Sequence, residues 1–220
     1  MSKEQPTKVK ICGITSLQDA RFTAGVMAHY LGFIFFDESP RYIEPAQAGA
    51  IINWIEGPES VGVFVNHPLD ELNEIASVSG LDLVQLHGNE SPEYCAMVDK
   101  PVIKAIRVAS DSTAEKLENR ITPYLDTVDF LLFDTSKEGV WGGTGTPFDW
   151  SLITGLTAGK PFFLSGGIDE NNVKKACKMV NPYAVDLSSS LEREPGVKDY
   201  EKIEVFMNRM KEIWGEEPNE

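Results

Sequence analysis

Short, nearly all-apolar runs alternate along the chain with longer segments in which apolar residues recur at helical spacing. The runs fall at 9–12, 30–35, 60–65, 83–86, 102–107, 130–133, 162–164 and 184–187. Such runs suit strands buried on both faces, as in a parallel sheet covered by helices. Helical spacing predicts helices at 17–24, 45–54, 68–77, 91–98, 113–122, 171–180 and 199–214. Ser91 before Pro92 and Asp199 before Tyr200 and Glu201 supply helix starts. After the sixth run the pattern weakens: 150–156 offers only a short helix, behind a Gly-rich connection over 135–149. A long connection of that kind in a compact domain is usually functional.

Eight strand runs with intervening helices predict a single (β/α)8 TIM barrel. An open, doubly wound sheet has the same alternation. Two features favour the closed form: the first strand is not followed by a Gly-x-Gly-x-x-Gly turn, and the phosphate-like turns come last, where barrels commonly hold phosphate. The boundaries read as a flexible N-terminal tail over 1–7, a barrel over 8–214 and an acidic C-terminal tail over 215–220. A length of 220 residues suits one barrel.

A formal net charge of −14, with Lys and Arg scattered rather than striped, opposes a nucleic-acid or anionic-membrane partner. No stretch approaches the ~20 apolar residues that span a bilayer, and the polar start lacks a secretory h-region, so a cytoplasmic location is expected. Cys12, Cys95 and Cys177 have no C-x-x-C spacing, which argues against disulfides and a cysteine zinc site.

In a barrel the chemistry sits at the C-terminal ends of the strands. Those ends carry Cys12, Asn66, His87, Arg107 and Asp134, with Arg41 on the connection after strand two. The last two strands run into Ser165-Gly166-Gly167 and Ser188-Ser189-Ser190. Small residues let main-chain N–H groups converge on an anion, and a helix start just beyond adds its dipole. A thiol and a carboxyl across such a mouth can act as base and acid on one small substrate. The alternatives stay open for each: Cys12 as a small buried hydrophobe, Asp134 as a cap or turn residue, Arg41 as a surface cation, His87 as a structural imidazole and Arg107 as an ion-pair partner. Asp186, within strand eight, is placed to face the barrel. Lys10, two residues before Cys12, shares its side of the strand.

Several segments together carry a family resemblance: Lys10-Ile11-Cys12-Gly13-Ile14-Thr15, Gly32-Phe33-Ile34-Phe35-Phe36 with Ser39-Pro40-Arg41, Gly62-Val63-Phe64-Val65-Asn66, Val84-Gln85-Leu86-His87-Gly88, Asp134-Thr135, Gly142-Gly143-Thr144-Gly145 with Phe148-Asp149-Trp150, and Ser165-Gly166-Gly167-Ile168. In order and spacing they resemble the phosphoribosylanthranilate isomerases of tryptophan biosynthesis. Histidine-pathway relatives use two aspartates, and a cysteine on strand one points away from them.

The resemblance implies a cofactor-free, metal-free Amadori rearrangement of N-(5-phosphoribosyl)anthranilate to 1-(2-carboxyphenylamino)-1-deoxyribulose 5-phosphate. It assigns the acid to Asp134, the base to Cys12, the anthranilate carboxylate contact to Arg41, and the phosphate to the main chain around Gly166, Gly167, Ser189 and Ser190. His87, Arg107 and Asp186 join as pocket residues, as do Trp141, Gly143 and Gly145 on a connection that reads as a lid excluding water. The expected partner is thus a small anionic phosphosugar-anthranilate substrate, with monomer and homodimer both open. The family's strand-eight turn usually reads Ser-Ser-Gly; Ser190 departs from it, at about 1 kcal/mol or more if that position is left-handed. Another phosphosugar isomerase or lyase, or a non-catalytic phosphometabolite-binding protein, are the alternatives.

Overall fold

A computed structural model describes residues 6–135, 147–157 and 159–215. Eight parallel strands close into a barrel in sequence order: β1 (Lys8–Cys12), β2 (Tyr30–Ile34), β3 (Glu59–Phe64), β4 (Leu83–Leu86), β5 (Val102–Val108), β6 (Phe130–Thr135), β7 (Phe162–Leu164) and β8 (Ala184–Leu187). Closure comes from β1 pairing with β8, Lys8 opposite Ala184 and Ile11 opposite Leu187. The open-sheet alternative is thereby excluded.

Helices α1 (Leu17–Gly25), α2 (Pro45–Ile52), α3 (Leu69–Ser79), α4 (Pro92–Ala96), α5 (Ala114–Ile121), α6 (Val173–Val180) and α7 (Tyr200–Gly215) connect or follow the strands. Their limits have local causes. Ser16 caps α1 by accepting from the Asp19 N–H, Ser91 and Pro92 start α4, and Gly80, with φ 69°, ends α3. Asp199 Oδ1 accepts from the N–H groups of Glu201 and Lys202 at the start of α7. Among the described residues between β6 and β7 the helical element is a short 3-10 turn, Trp150–Ile153, as the weak apolar pattern there predicts.

Side chains alternate between two cores. Outward residues such as Val9, Ile11, Phe33 and Phe133 pack under the helices. Inward ones, including Tyr30, Val61, Leu83, Ile103, Leu132 and Phe163, fill the barrel. At the N-terminal end of the barrel Lys8 Nζ donates to the hydroxyls of Tyr30 (3.2 Å) and Tyr183 (2.7 Å). Thr7 is buried there, its hydroxyl donating to the Pro182 carbonyl, and Trp214 Nε1 donates to the Thr7 carbonyl. Thr7 is thus packed against the barrel, and α7 extends to Gly215.

One element was not anticipated from the sequence. Beyond β8 the chain makes a 3-10 turn, Ser189–Leu191, and then a small hairpin of β9 (Glu192–Glu194) and β10 (Val197–Lys198). Pro195 and Gly196, the latter with φ 83°, make its turn.

Phe163 is fully buried inside the barrel, edge-on to Tyr30 and Phe130. Phe163→Ala is expected to lower unfolding free energy by about 3–5 kcal/mol, read by urea denaturation. A loss below ~1 kcal/mol would mean that the interior is not packed as described.

Candidate active site

Alternation carries a defined set of side chains into the mouth of the barrel. Arg107 and Asp134 are register partners on β5 and β6, two residues beyond the interior Ala105 and Leu132. Asp186 lies two beyond the interior Ala184 and opposite Lys10. His87 lies four beyond Leu83, and Cys12 two beyond Lys10. Side chains at even spacing share a face, so all of these project inward. Cys12 on β1 and Asp134 on β6 sit three strands apart around the ring.

A cavity of about 230 Å³ opens at this end, lined by Asp134, Ser165, Gly166, Gly167, Asp186, Ser189 and Ser190 among others. It joins the predicted acid to both predicted phosphate turns. Gly166 (φ 82°) and Gly167 (φ 75°) are left-handed, a conformation that favours glycine. A Cβ on Gly166 would lie 2.8 Å from Asp134 Oδ1, so only glycine lets this turn approach the acid. No described residue accepts a hydrogen bond from the main-chain N–H of Gly166, Gly167, Ser189 or Ser190, which leaves four donors for an anion. Helix α6 starts only at Val173, so the donors belong to the turns rather than to a helix end. Ser190 lies in the 3-10 turn and does not have a positive φ, so serine in place of the usual glycine brings no left-handed strain.

Asp134 is buried, with its Oδ2 3.3 Å from His87 Nε2. The Gln85 amide meets His87 Nδ1 at 2.9 Å. With that amide donating, the imidazole holds its proton on Nε2, facing Asp134. Arg107 Nη2 donates to the His87 carbonyl at 2.9 Å, and the carboxylate of Asp134 lies within range of its charge. His87 and Arg107 thus border the acid from β4 and β5 without lining the cavity.

Burial pushes the Cys12 thiol up from its ordinary value, and the Asp186 carboxylate adds to the shift; the Lys10 and Lys198 ammonium groups oppose it. Lys10, fully buried, donates to Asp186 Oδ1 at 2.9 Å. The Lys10 charge therefore does reach the thiol, though burial prevails. Asp186 faces the barrel as expected, and its carbonyl accepts from Ser165 Oγ at 3.3 Å.

Arg41 packs against this group. Its Nε and Nη2 donate to Glu192, at 2.9 and 3.0 Å from Nε and 2.6 Å from Nη2. The Cβ of any residue replacing Gly13 would lie 2.7 Å from the Arg41 side chain, which places Arg41 beside the end of β1. Glu192 and Lys198 are the site residues missed in the sequence. Their signal was the Pro195-Gly196 turn between short flanking segments.

Trp141, Gly143 and Gly145, with most of the predicted lid, lie outside the described residues. Among the described residues, no three His, Cys, Asp or Glu side chains group as a metal ion requires, and no helix is long and apolar enough to cross a membrane. A larger open hollow of about 550 Å³ along α6, lined by Asn171, Lys174, Lys175, Lys178 and Met179, includes no acid, thiol or imidazole.

Known proteins resemble this chain in sequence and fold. A family model described as N-(5'-phosphoribosyl)anthranilate isomerase covers residues 9–209. A curated protein of that name from Pelobacter propionicus is 42% identical over 95% of this chain and 98% of its own length. The phosphoribosylanthranilate isomerase of Thermotoga maritima superposes with a TM-score of 0.84, at 38% identity over 94% of this chain and 99% of its own. A structure of such an enzyme with reduced 1-(o-carboxyphenylamino)-1-deoxyribulose 5-phosphate gives 0.80, at 37% identity over 94% and 99%.

Gly166→Ala is expected to weaken inorganic phosphate binding at least about tenfold, measured by titration calorimetry. Gly155 has a similar φ of 77° but open space around it, so Gly155→Ala should strain the backbone and leave phosphate affinity alone. Equal affinities in the two variants would remove the anion from this cavity.

Proposed function

The chain belongs to the N-(5'-phosphoribosyl)anthranilate isomerase family, and from that premise we propose which of its side chains move the protons. The reaction is an isomerisation in tryptophan biosynthesis. An aminoaldose becomes an aminoketose: C1′ is reduced by the same two electrons that C2′ loses. No external oxidant or reductant enters the balance.

Asp134 is the acid. Its carboxylic proton passes to the furanose ring oxygen as the C1′–O bond breaks, and the anthranilate nitrogen supplies the electron pair that makes the iminium. Cys12 is the base. Its thiolate removes the C2′ proton, the electron pair forms the C1′–C2′ double bond, and the iminium collapses to an enol-amine. Tautomerisation of that species, with a proton arriving at C1′, gives the ketone. Asp134 thus loses a proton while Cys12 gains one, so the reset of each group accompanies turnover.

The single observation that carries this reading is the cavity that Asp134 shares with the turns of Gly166, Gly167, Ser189 and Ser190. A phosphate held by those four N–H groups anchors one end of a sugar whose ring then lies near the carboxyl. Arg41 takes the anthranilate carboxylate. A guanidinium already gripped at Nε and Nη2 by Glu192 has its orientation fixed before substrate arrives. His87 and Arg107 border the acid, and Asp186 supports the Lys10 side of the thiol. The three cysteines are unpaired thiols, in keeping with a cytoplasmic enzyme.

Cys12→Ala and Asp134→Asn are each expected to lower kcat by at least about a hundredfold, the scale of a lost general acid or base. The assay follows the falling fluorescence of the aminoaldose, with circular dichroism to verify folding. Near-parental turnover in either variant would sink that assignment.

The thiol works only when ionised, and burial raises its pKa. Protonation therefore silences it on the acidic side, and kcat/KM of the free enzyme should still be rising as pH passes the ordinary thiol value of about 8.5. A pH-rate profile that is already flat by about pH 7 would contradict a thiol base with a raised pKa.

A further inference from the structure

The hairpin beyond β8 reaches over to the end of the neighbouring first strand. Lys198, buried with a fully covered side chain, donates from Nζ to the main-chain carbonyl of Cys12 at 2.6 Å and to Glu192 Oε1 at 2.8 Å. The same Glu192 carboxylate grips Arg41. A continuous series of charged groups thus runs from the guanidinium through Glu192 and Lys198 to the end of β1.

Nothing about the helix wrapping of the barrel requires it. A buried ammonium carries a large desolvation penalty, and an apolar side chain would fill the same space. The carbonyl it meets belongs to the residue that bears the thiol.

We propose that Lys198 is a positioning residue for the reaction: it fixes the main chain at Cys12 and contributes positive charge beside the thiol, with Glu192 tying it to Arg41. The proposal rests on Cys12 being the base.

The charged groups facing Cys12 come from every side. Lys10 lies on β1 and Asp186 on β8; Arg41 comes from the connection after β2, and Lys198 and Glu192 from the hairpin. Lys10 is neutralised by Asp186, which itself opposes ionisation of the thiol. Arg41 and Lys198 share the one Glu192 carboxylate, so this group carries an excess positive charge against a thiol that burial holds protonated. Burial also draws the Lys198 ammonium down, and Glu192 opposes that shift.

Two variants separate charge from hydrogen bonding. Lys198→Met removes both, whereas Lys198→Gln keeps a donor for the Cys12 carbonyl and removes only the charge. The thiol is titrated by its ultraviolet thiolate absorbance, taken as the difference from the matching Cys12→Ala protein. Both variants are expected to shift the titration upward by about one pH unit, with kcat/KM about tenfold lower at neutral pH and KM little changed. Lys198→Gln serves as the readout if Lys198→Met does not fold. A titration that coincides with the parent's in the folded variants overturns the proposal, even if activity falls, because loss of activity alone is what a merely structural lysine gives. Near-parental turnover of Cys12→Ala would instead remove the base assignment beneath it. The absorbance titration does not depend on turnover and so tells the two failures apart.

Discussion

Pairing of β1 with β8 commits every second residue of eight strands to one shared interior. Below the mouth that interior is shut off from water, so a charged group placed there is costly unless it finds a partner within it. Lys10 and Asp186 satisfy this requirement across the closing seam itself, 2.9 Å apart on the two strands whose contact completes the ring. Such a pair adds little net stability compared with an apolar filling, whereas removing one member typically costs about 3–5 kcal/mol. The pair also bears on the thiol two residues further along β1, where Lys10 and Asp186 act in opposite directions.

From that seam the electrostatics of the mouth follow. On the β1 side, ammonium and guanidinium groups are interleaved with the carboxylates of Asp186 and Glu192, and the cations outnumber the anions by one. On the β6 side, Asp134 meets an imidazole and lies within range of the Arg107 charge, and two small-residue turns border the same cavity. The protein carries a net charge of −14 and still presents local positive potential to an anionic substrate.

Much of the scaffold was legible because strands buried on both faces read as unbroken apolar runs; β4, β7 and β8 occupy the residues that the pattern marks. Caps at Ser91 and Asp199 are local chemistry and were legible for the same reason. Of the site, Asp134, Asp186 and the four turn residues meet in one cavity, since position at a strand end determines which face a side chain takes. The Arg41–Glu192 and Cys12–Lys198 contacts were not legible. They join residues 151 and 186 positions apart, and no local periodicity encodes such a pairing. The upward shift of the Cys12 thiol was hidden too, because it depends on how completely the folded chain excludes water around the sulfur.

The bond between Lys198 and the Cys12 carbonyl has a consequence for biosynthesis of the protein itself. Strand β1 leaves the ribosome before the ammonium that clasps its end, which lies 186 positions further along the chain. A partly made chain can form individual βα units, yet the thiol has its full charged surroundings only after the hairpin of β9 and β10 has been released. The charged surroundings of this thiol are therefore a property of a chain that already includes the hairpin, and not of β1 and its neighbouring strands alone.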